Sequence, residues 1–183
     1  LITKIDKWVV ENTFQYLSEN QELTCKHISI NLSGLTLSEA DFIDFVFSMF
    51  HHYKINPQYI GFEITETSAV ADIVHAKHFI DSMRQFGVSI YLDDFGAGFS
   101  SFAYLQDLNA DFLKIDGLFI KDLITNPKNL SIVKSMIEIA KINGMKTVAE
   151  YVSTEDIYTI IQTLDIDFVQ GYAIDEPHPW HIN

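Results

Sequence analysis

Oxygen-bearing side chains recur along this chain at the ends of short apolar runs. Asn31, Glu63, the adjacent pair Asp93 and Asp94, and Glu150 occupy such places, and Lys114 and Gln170 stand in two further runs of the same kind. Four carboxylates and a carboxamide form an all-oxygen donor set, which suits hard cations such as Mg²⁺ or Mn²⁺ rather than zinc. A carboxylate bridging two cations about 3.5–4 Å apart is what two-metal phosphodiester hydrolysis needs, because one ion activates water and both stabilise the in-line displacement at phosphorus. Lys114 is suited to orient the attacking water or to neutralise charge developing on the phosphoryl oxygens. Asp93 and Asp94 would point to opposite faces of a regular strand, so the strand must end or twist there, and Gly96 and Gly98 permit that. Any one of these groups alone is what a helix cap or a satisfied buried polar group requires. Six successive strands that each carry such a group are better explained by a shared site.

The elements that position them alternate. β-branched and aromatic runs lie at 27–33, 59–66, 89–94, 111–116, 146–150 and 167–172. Helical patterns fill the gaps. Phe42, Phe45, Val46, Met49, Phe50 and Tyr53 have helical spacing within 38–53, with Ser38 and Asp41 placed to form a capping box. A second helix is expected over 70–86, stopped by Gly87, and a third over 130–143, with Val133, Met136, Ile137 and Ala140 on one face and Gly144 just past its end. Strand–helix alternation implies βαβ units and a parallel sheet, either open and doubly wound or closed as a (β/α)₈ barrel. In the first run Ile28, Ile30 and Leu32 share one face, and Ser29, Asn31 and Ser33 the other. Such half-polar strands favour the barrel, because strands buried on both faces of an open sheet are more uniformly apolar. The polar residues also lie toward the C-terminal strand ends, where (β/α)₈ enzymes build their active sites.

Composition narrows the function. With 183 residues, 48% of them hydrophobic, the chain reads as one domain over 1–183. No run of about 18 apolar residues suggests a membrane span. The opening LITKIDKWVV resembles the inside of an amphipathic helix, so the chain is expected to begin in mid-fold. A formal charge of −13 argues against wrapping DNA, and an anionic substrate would need bound cations to receive it. The single cysteine, Cys25, excludes an internal disulfide and a cysteine zinc site, so a cytoplasmic setting is expected, free or as the cytoplasmic part of a larger membrane protein. His51, His52, His75 and His78 read as solvent-facing helix positions without acidic partners. Trp8 and Phe14 read as residues that pack a helix onto the barrel. Tyr151 and Tyr172 are suited to stack on a base or to pack at the rim.

Asn31-Leu32-Ser33, Glu63-Ile64-Thr65-Glu66, Asp93-Asp94-Phe95-Gly96, Lys114-Ile115-Asp116, Ala149-Glu150 and Gln170-Gly171-Tyr172 follow one another in this order. Together they resemble the successive signatures of the EAL family of cyclic-di-GMP phosphodiesterases, from about Leu1 to Pro179. The resemblance implies a TIM-like (β/α)₈ barrel that hydrolyses cyclic di-GMP to linear pGpG with two Mg²⁺ or Mn²⁺ ions. By it, Asn31, Glu63 and Asp93 would hold the first ion, and Asp93, Asp94 and Glu150 the second. Lys114, Glu150 and Gln170 match catalytic positions, while Asp116, Tyr151 and Gln170 match the substrate side. Glu66 matches a residue that anchors the loop at 95–101, FGAGFSS, which resembles a segment leading to a homodimer interface. Attached sensory or GGDEF domains are compatible with the resemblance.

Two departures keep other readings open. The Glu-Ala-Leu segment of the family lies on an earlier strand and does not occur in this sequence, so the expected barrel lacks its first strands. Residues 149–153 read AEYVS where the family usually has Ala-Glu-Gly-Val-Glu, which puts Tyr151 in place of a glycine and Ser153 in place of an acid. Ser153 cannot serve as a proton acceptor at neutral pH. The alternatives are a degenerate domain that binds cyclic di-GMP as a receptor, or a protein-interaction scaffold. Clustered like charges argue against the scaffold.

Overall fold

The structure is a computed structural model and describes residues 1–20, 27–97, 102–177 and 179. It divides into two compact units, Leu1–Asp93 with Gly98–Asp111, and Asp94–Ala97 with Phe112–Asn183.

In the first unit α1 (Ile2–Glu19) leads to β1 (Ile28–Leu32), α2 (Gly34–Leu37), α3 (Phe42–Tyr53), β2 (Ile60–Thr65), α4 (Glu66–Ala71), α5 (Ile73–Phe86) and β3 (Ser89–Phe95). The last two residues of β3 belong to the second unit. Strands β1, β2 and β3 run parallel, with Asn31 opposite Glu63 and Thr65 opposite Asp93. The second unit carries β4 (Phe112–Ile115), α6 (Gly117–Ile120), α7 (Pro127–Ile142), β5 (Lys146–Ala149), α8 (Glu155–Ile161) and β6 (Phe168–Val169). Its strands are parallel as well, through β4·β5 and β5·β6. All six expected strands are present, and β6 is reduced to two residues.

Aromatic packing fills the first unit. Phe14 of α1 meets Phe50 of α3 at 4.6 Å between ring centroids, and Phe79 of α5 meets both Phe42 and Phe62 at 5.9 and 5.7 Å. Of the pair expected to dock α1, only Phe14 is buried, whereas Trp8 is 62% exposed. In the second unit Val133, Met136, Ile137 and Ala140 of α7 are all buried, as their spacing predicts.

Three local expectations gave way to tertiary partners. The Ser38–Asp41 capping box does not form: the Ser38 hydroxyl donates to Asp72 at 3.0 Å, and Asp41 takes the Lys7 ammonium at 2.9 Å. That hydrogen bond from Lys7 is the main cause holding Asp41 below the ordinary carboxylate pKa. The helix expected over 70–86 is two helices, broken at Asp72, which accepts the His75 N–H to cap α5 and also pairs with the His75 ring at 2.8 Å. His75 therefore does have an acidic partner. Finally, α7 begins before Leu130, because Asn126 caps it and Pro127 takes its first position, where the missing N–H costs nothing.

Carboxylates tie the loops to the strands. Asp6 of α1, only 6% exposed, accepts the Ser33 N–H at 2.9 Å, the Ser33 hydroxyl at 2.8 Å and the Thr36 hydroxyl at 2.5 Å, fixing the turn just after Asn31. Asp111 accepts the Ile90 N–H at 2.9 Å and is gripped by Arg84, while Asp167 accepts both the N–H and the hydroxyl of Thr147. Hydrogen bonds to an ionised acceptor contribute about 1.5–3 kcal/mol each. We expect Asp6→Ala to lower unfolding stability by about 2–3 kcal/mol in urea denaturation. A loss below about 0.5 kcal/mol, the range of an ordinary surface substitution, would show that this turn does not depend on Asp6.

Candidate metal centre

In the first unit the parallel register sets Asn31 and Glu63 side by side on one face of the β1·β2 pair. Asn31 is exposed and Glu63 is 8% exposed, with the Ser29 hydroxyl donating to a Glu63 carboxylate oxygen. Asp93, also 8% exposed, lies at the level of Thr65 on the neighbouring strand. β2 ends where the Thr65 hydroxyl accepts the Ser68 N–H and starts α4. Glu66, the first residue of α4, is 2% exposed and accepts a 2.5 Å hydrogen bond from the Tyr104 hydroxyl.

In the second unit Lys114, 3% exposed in β4, forms a 2.9 Å ion pair with Glu150, the residue just after β5. The Glu150 N–H donates to the Ile115 carbonyl at 3.3 Å, so the end of β4 sets the backbone from which that carboxylate projects. Carboxylate oxygens of Asp94 and Glu150 come within 4.8 Å of each other, and Asp93, the chain neighbour of Asp94, belongs to the same group. The turn that makes this possible lies at Asp94 itself, whose φ of +54° is left-handed, rather than only at a following glycine. Gly96 is nevertheless required: a Cβ there would stand 2.2 Å from the Met136 side chain and 2.9 Å from Phe119, at a φ of +95°.

Such a group is expensive. Like charges this close repel one another, and a buried ion pair returns little net stability after desolvation. Lys114 supplies one positive charge to a group of three carboxylates. The donor set is all oxygen, so it fits a hard divalent cation, which would relieve that repulsion.

The remaining expected residues belong to the second unit. Asp116 caps α6 by accepting the Leu118 N–H at 2.6 Å through one of its two oxygens. Gln170 has an exposed side chain, and its backbone bonds to Ala149 and Val152. Tyr151 and Tyr172 are 58% and 66% exposed. Cys25, Gly98 and the part of the expected dimer loop over 98–101 lie outside the described residues. Sequence reading did not single out Ser29, Tyr104, Asp6 or Lys121. Only Ser29 left a signal, its period-two spacing from Asn31, because the others reach the site region from distant segments. No described helix is long and apolar enough to cross a membrane.

Parallel strand–helix units with carboxylates at the strand ends define the (β/α)₈ class. The EAL domain family model matches residues 1–177, and the chain belongs to that family. It is 41% identical over 180 residues to cyclic di-GMP phosphodiesterase PdeB of Shewanella oneidensis, covering 98% of this chain and 21% of that protein. It is 37% identical over 180 residues to cyclic di-GMP phosphodiesterase PdeF of Escherichia coli, covering 98% of this chain and 24% of that protein. The chain thus spans about a fifth to a quarter of these relatives. Among solved structures, the PaMucR phosphodiesterase in complex with c-di-GMP superimposes with a TM-score of 0.90 at 30% identity, over 98% of this chain and 73% of that one.

Removing Lys114 alone leaves its partner buried and unpaired by that ammonium. We expect Lys114→Met to cost about 3 kcal/mol in chelator-containing buffer, the scale of breaking a buried pair from one side. Urea unfolding measures it, and a loss under about 1 kcal/mol would show that Glu150 does not depend on Lys114.

Proposed function

We propose that this chain is a cyclic-di-GMP phosphodiesterase that hydrolyses its substrate to linear pGpG by a two-metal mechanism. The observation that carries this reading is the Asp93, Asp94 and Glu150 carboxylate group with Lys114 paired to it at 2.9 Å. The named activity of the relatives supports the choice of substrate.

In this reading Asn31, Glu63 and Asp93 hold one Mg²⁺ or Mn²⁺, and Asp93, Asp94 and Glu150 hold the other. When bound, the ions generate the nucleophile from water and offset charge on the phosphoryl oxygens. The chain's own residues do the rest. Lys114 orients that water by donating from its ammonium, and its near-complete burial keeps the donor directed. Gln170 positions the neighbouring polar groups, while Asp116, Tyr151 and Gln170 border the substrate. Glu66, through Tyr104, anchors the segment that follows the aspartate pair.

A second reading rests on Ser153, whose hydroxyl stands where the family pattern has an acid. The same cation group would then bind cyclic di-GMP without turnover. Incubation of the protein with cyclic di-GMP and Mg²⁺ or Mn²⁺, following pGpG by chromatography and binding by calorimetry, separates the two. We expect turnover, its loss on chelation, and a decrease of at least about a hundredfold in kcat for Asp94→Asn, the scale of losing one preorganised electrostatic contact. Binding without product would replace the hydrolase with the receptor.

A further inference from the structure

Tyr151 has a left-handed backbone, with φ +52°, a conformation that is costly for an aromatic L-residue and that clusters at functional sites. Its neighbours impose it. The Glu150 N–H donates to the Ile115 carbonyl at 3.3 Å and the Val152 N–H to the Gln170 carbonyl at 3.0 Å, so the chain is pinned on both sides of Tyr151. The side chain is thereby turned onto α6. A Cβ on Gly117 would lie 2.3 Å from Tyr151 Cδ2 and 2.6 Å from Cγ, so only glycine lets the ring approach the helix this closely. Lys121 Nζ lies 4.1 Å from the ring centroid. Gly117 and Lys121 are one helical turn apart and both lie against the ring.

The ring is 58% exposed, although Glu150 beside it is only 9% exposed. The result is an aromatic ring in contact with a helix and a cation yet more than half exposed to solvent, one residue from the carboxylate group. Burial does not explain it, since most of the ring remains wet. A cation against one face draws electron density from the ring, which suits the open face to an electron-rich heterocycle. Planar bases stack on such platforms whatever their hydrogen-bonding pattern.

Building on the hydrolase reading, we propose that Tyr151 is the stacking platform for a guanine base of the substrate, and that Lys121 and Gly117 are positioning residues that hold the ring for it. Tyr151 then acts on substrate affinity rather than on the chemical step.

The test compares steady-state kinetics of the full chain with cyclic di-GMP for the wild type, Tyr151→Phe, Tyr151→Leu and Lys121→Met, with melting temperature as the folding control. Tyr151→Leu should raise KM about tenfold, the range of one lost base stack, and leave kcat within about twofold. Tyr151→Phe should restore KM to within about twofold, and Lys121→Met should raise it about threefold. An unchanged or lower KM in Tyr151→Leu overturns the platform, the lower value marking the ring as an obstruction. If the wild type binds cyclic di-GMP but does not turn it over, the hydrolase reading fails alone, and the same ratios read as Kd by calorimetry decide on the platform. A wild type that neither binds nor hydrolyses the dinucleotide overturns both.

Discussion

Mutual repulsion among carboxylates is the constraint on which this molecule turns. Asp93 and Glu150 are largely buried, and Asp94 brings a third charge into the same group. Apolar residues of similar size would often pack there at lower cost. The Lys114 ion pair holds Glu150, and the left-handed turn at Asp94 and the close contact of Gly96 with Met136 and Phe119 shape the segment that carries Asp94.

Acids elsewhere show the contrast. Asp6, Asp111, Asp116 and Asp167 each accept a backbone N–H, and Asp6 and Asp167 take hydroxyls as well. These carboxylates exchange hydration for fixed donors and so stabilise turns and strand starts. Glu66, fixed by Tyr104, is engaged by a distant side chain instead. The acids of the candidate centre have been brought toward one another, which favours a cation.

Backbone strain follows the same division. The described non-glycine residues with positive φ are Lys54, Asp94 and Tyr151. Lys54 ends α3 in the ordinary left-handed manner of a helix terminus. Asp94 and Tyr151 instead belong to, or adjoin, the carboxylate group, where a regular strand would have aimed one side chain away. Strain of this kind persists only where the surroundings over-determine it, as the flanking hydrogen bonds of Tyr151 do.

The six strands, the parallel α/β class, the buried face of α7 and the oxygen-rich strand ends were all legible in the sequence, because period-two and period-3.6 patterns are written locally. The family was legible too, since its signatures are short and ordered. Elements whose local preference competed with a distant partner were not. Ser38 and Asp41 have the spacing of a capping box, yet Asp72 and Lys7 claim them. Trp8 has the helical phase of a docking residue, yet it stays in solvent. The left-handed turn expected at Gly96 is present, and Asp94 adds a second one that its residue type did not signal. Only the tertiary structure decided that Asp6 would hold the turn after Asn31, that Tyr104 would meet Glu66 and that Lys121 would lie against Tyr151. The physical reason is separation along the chain: periodicity reports which face of an element is buried, whereas partnership across tens of residues depends on where folding brings those faces together.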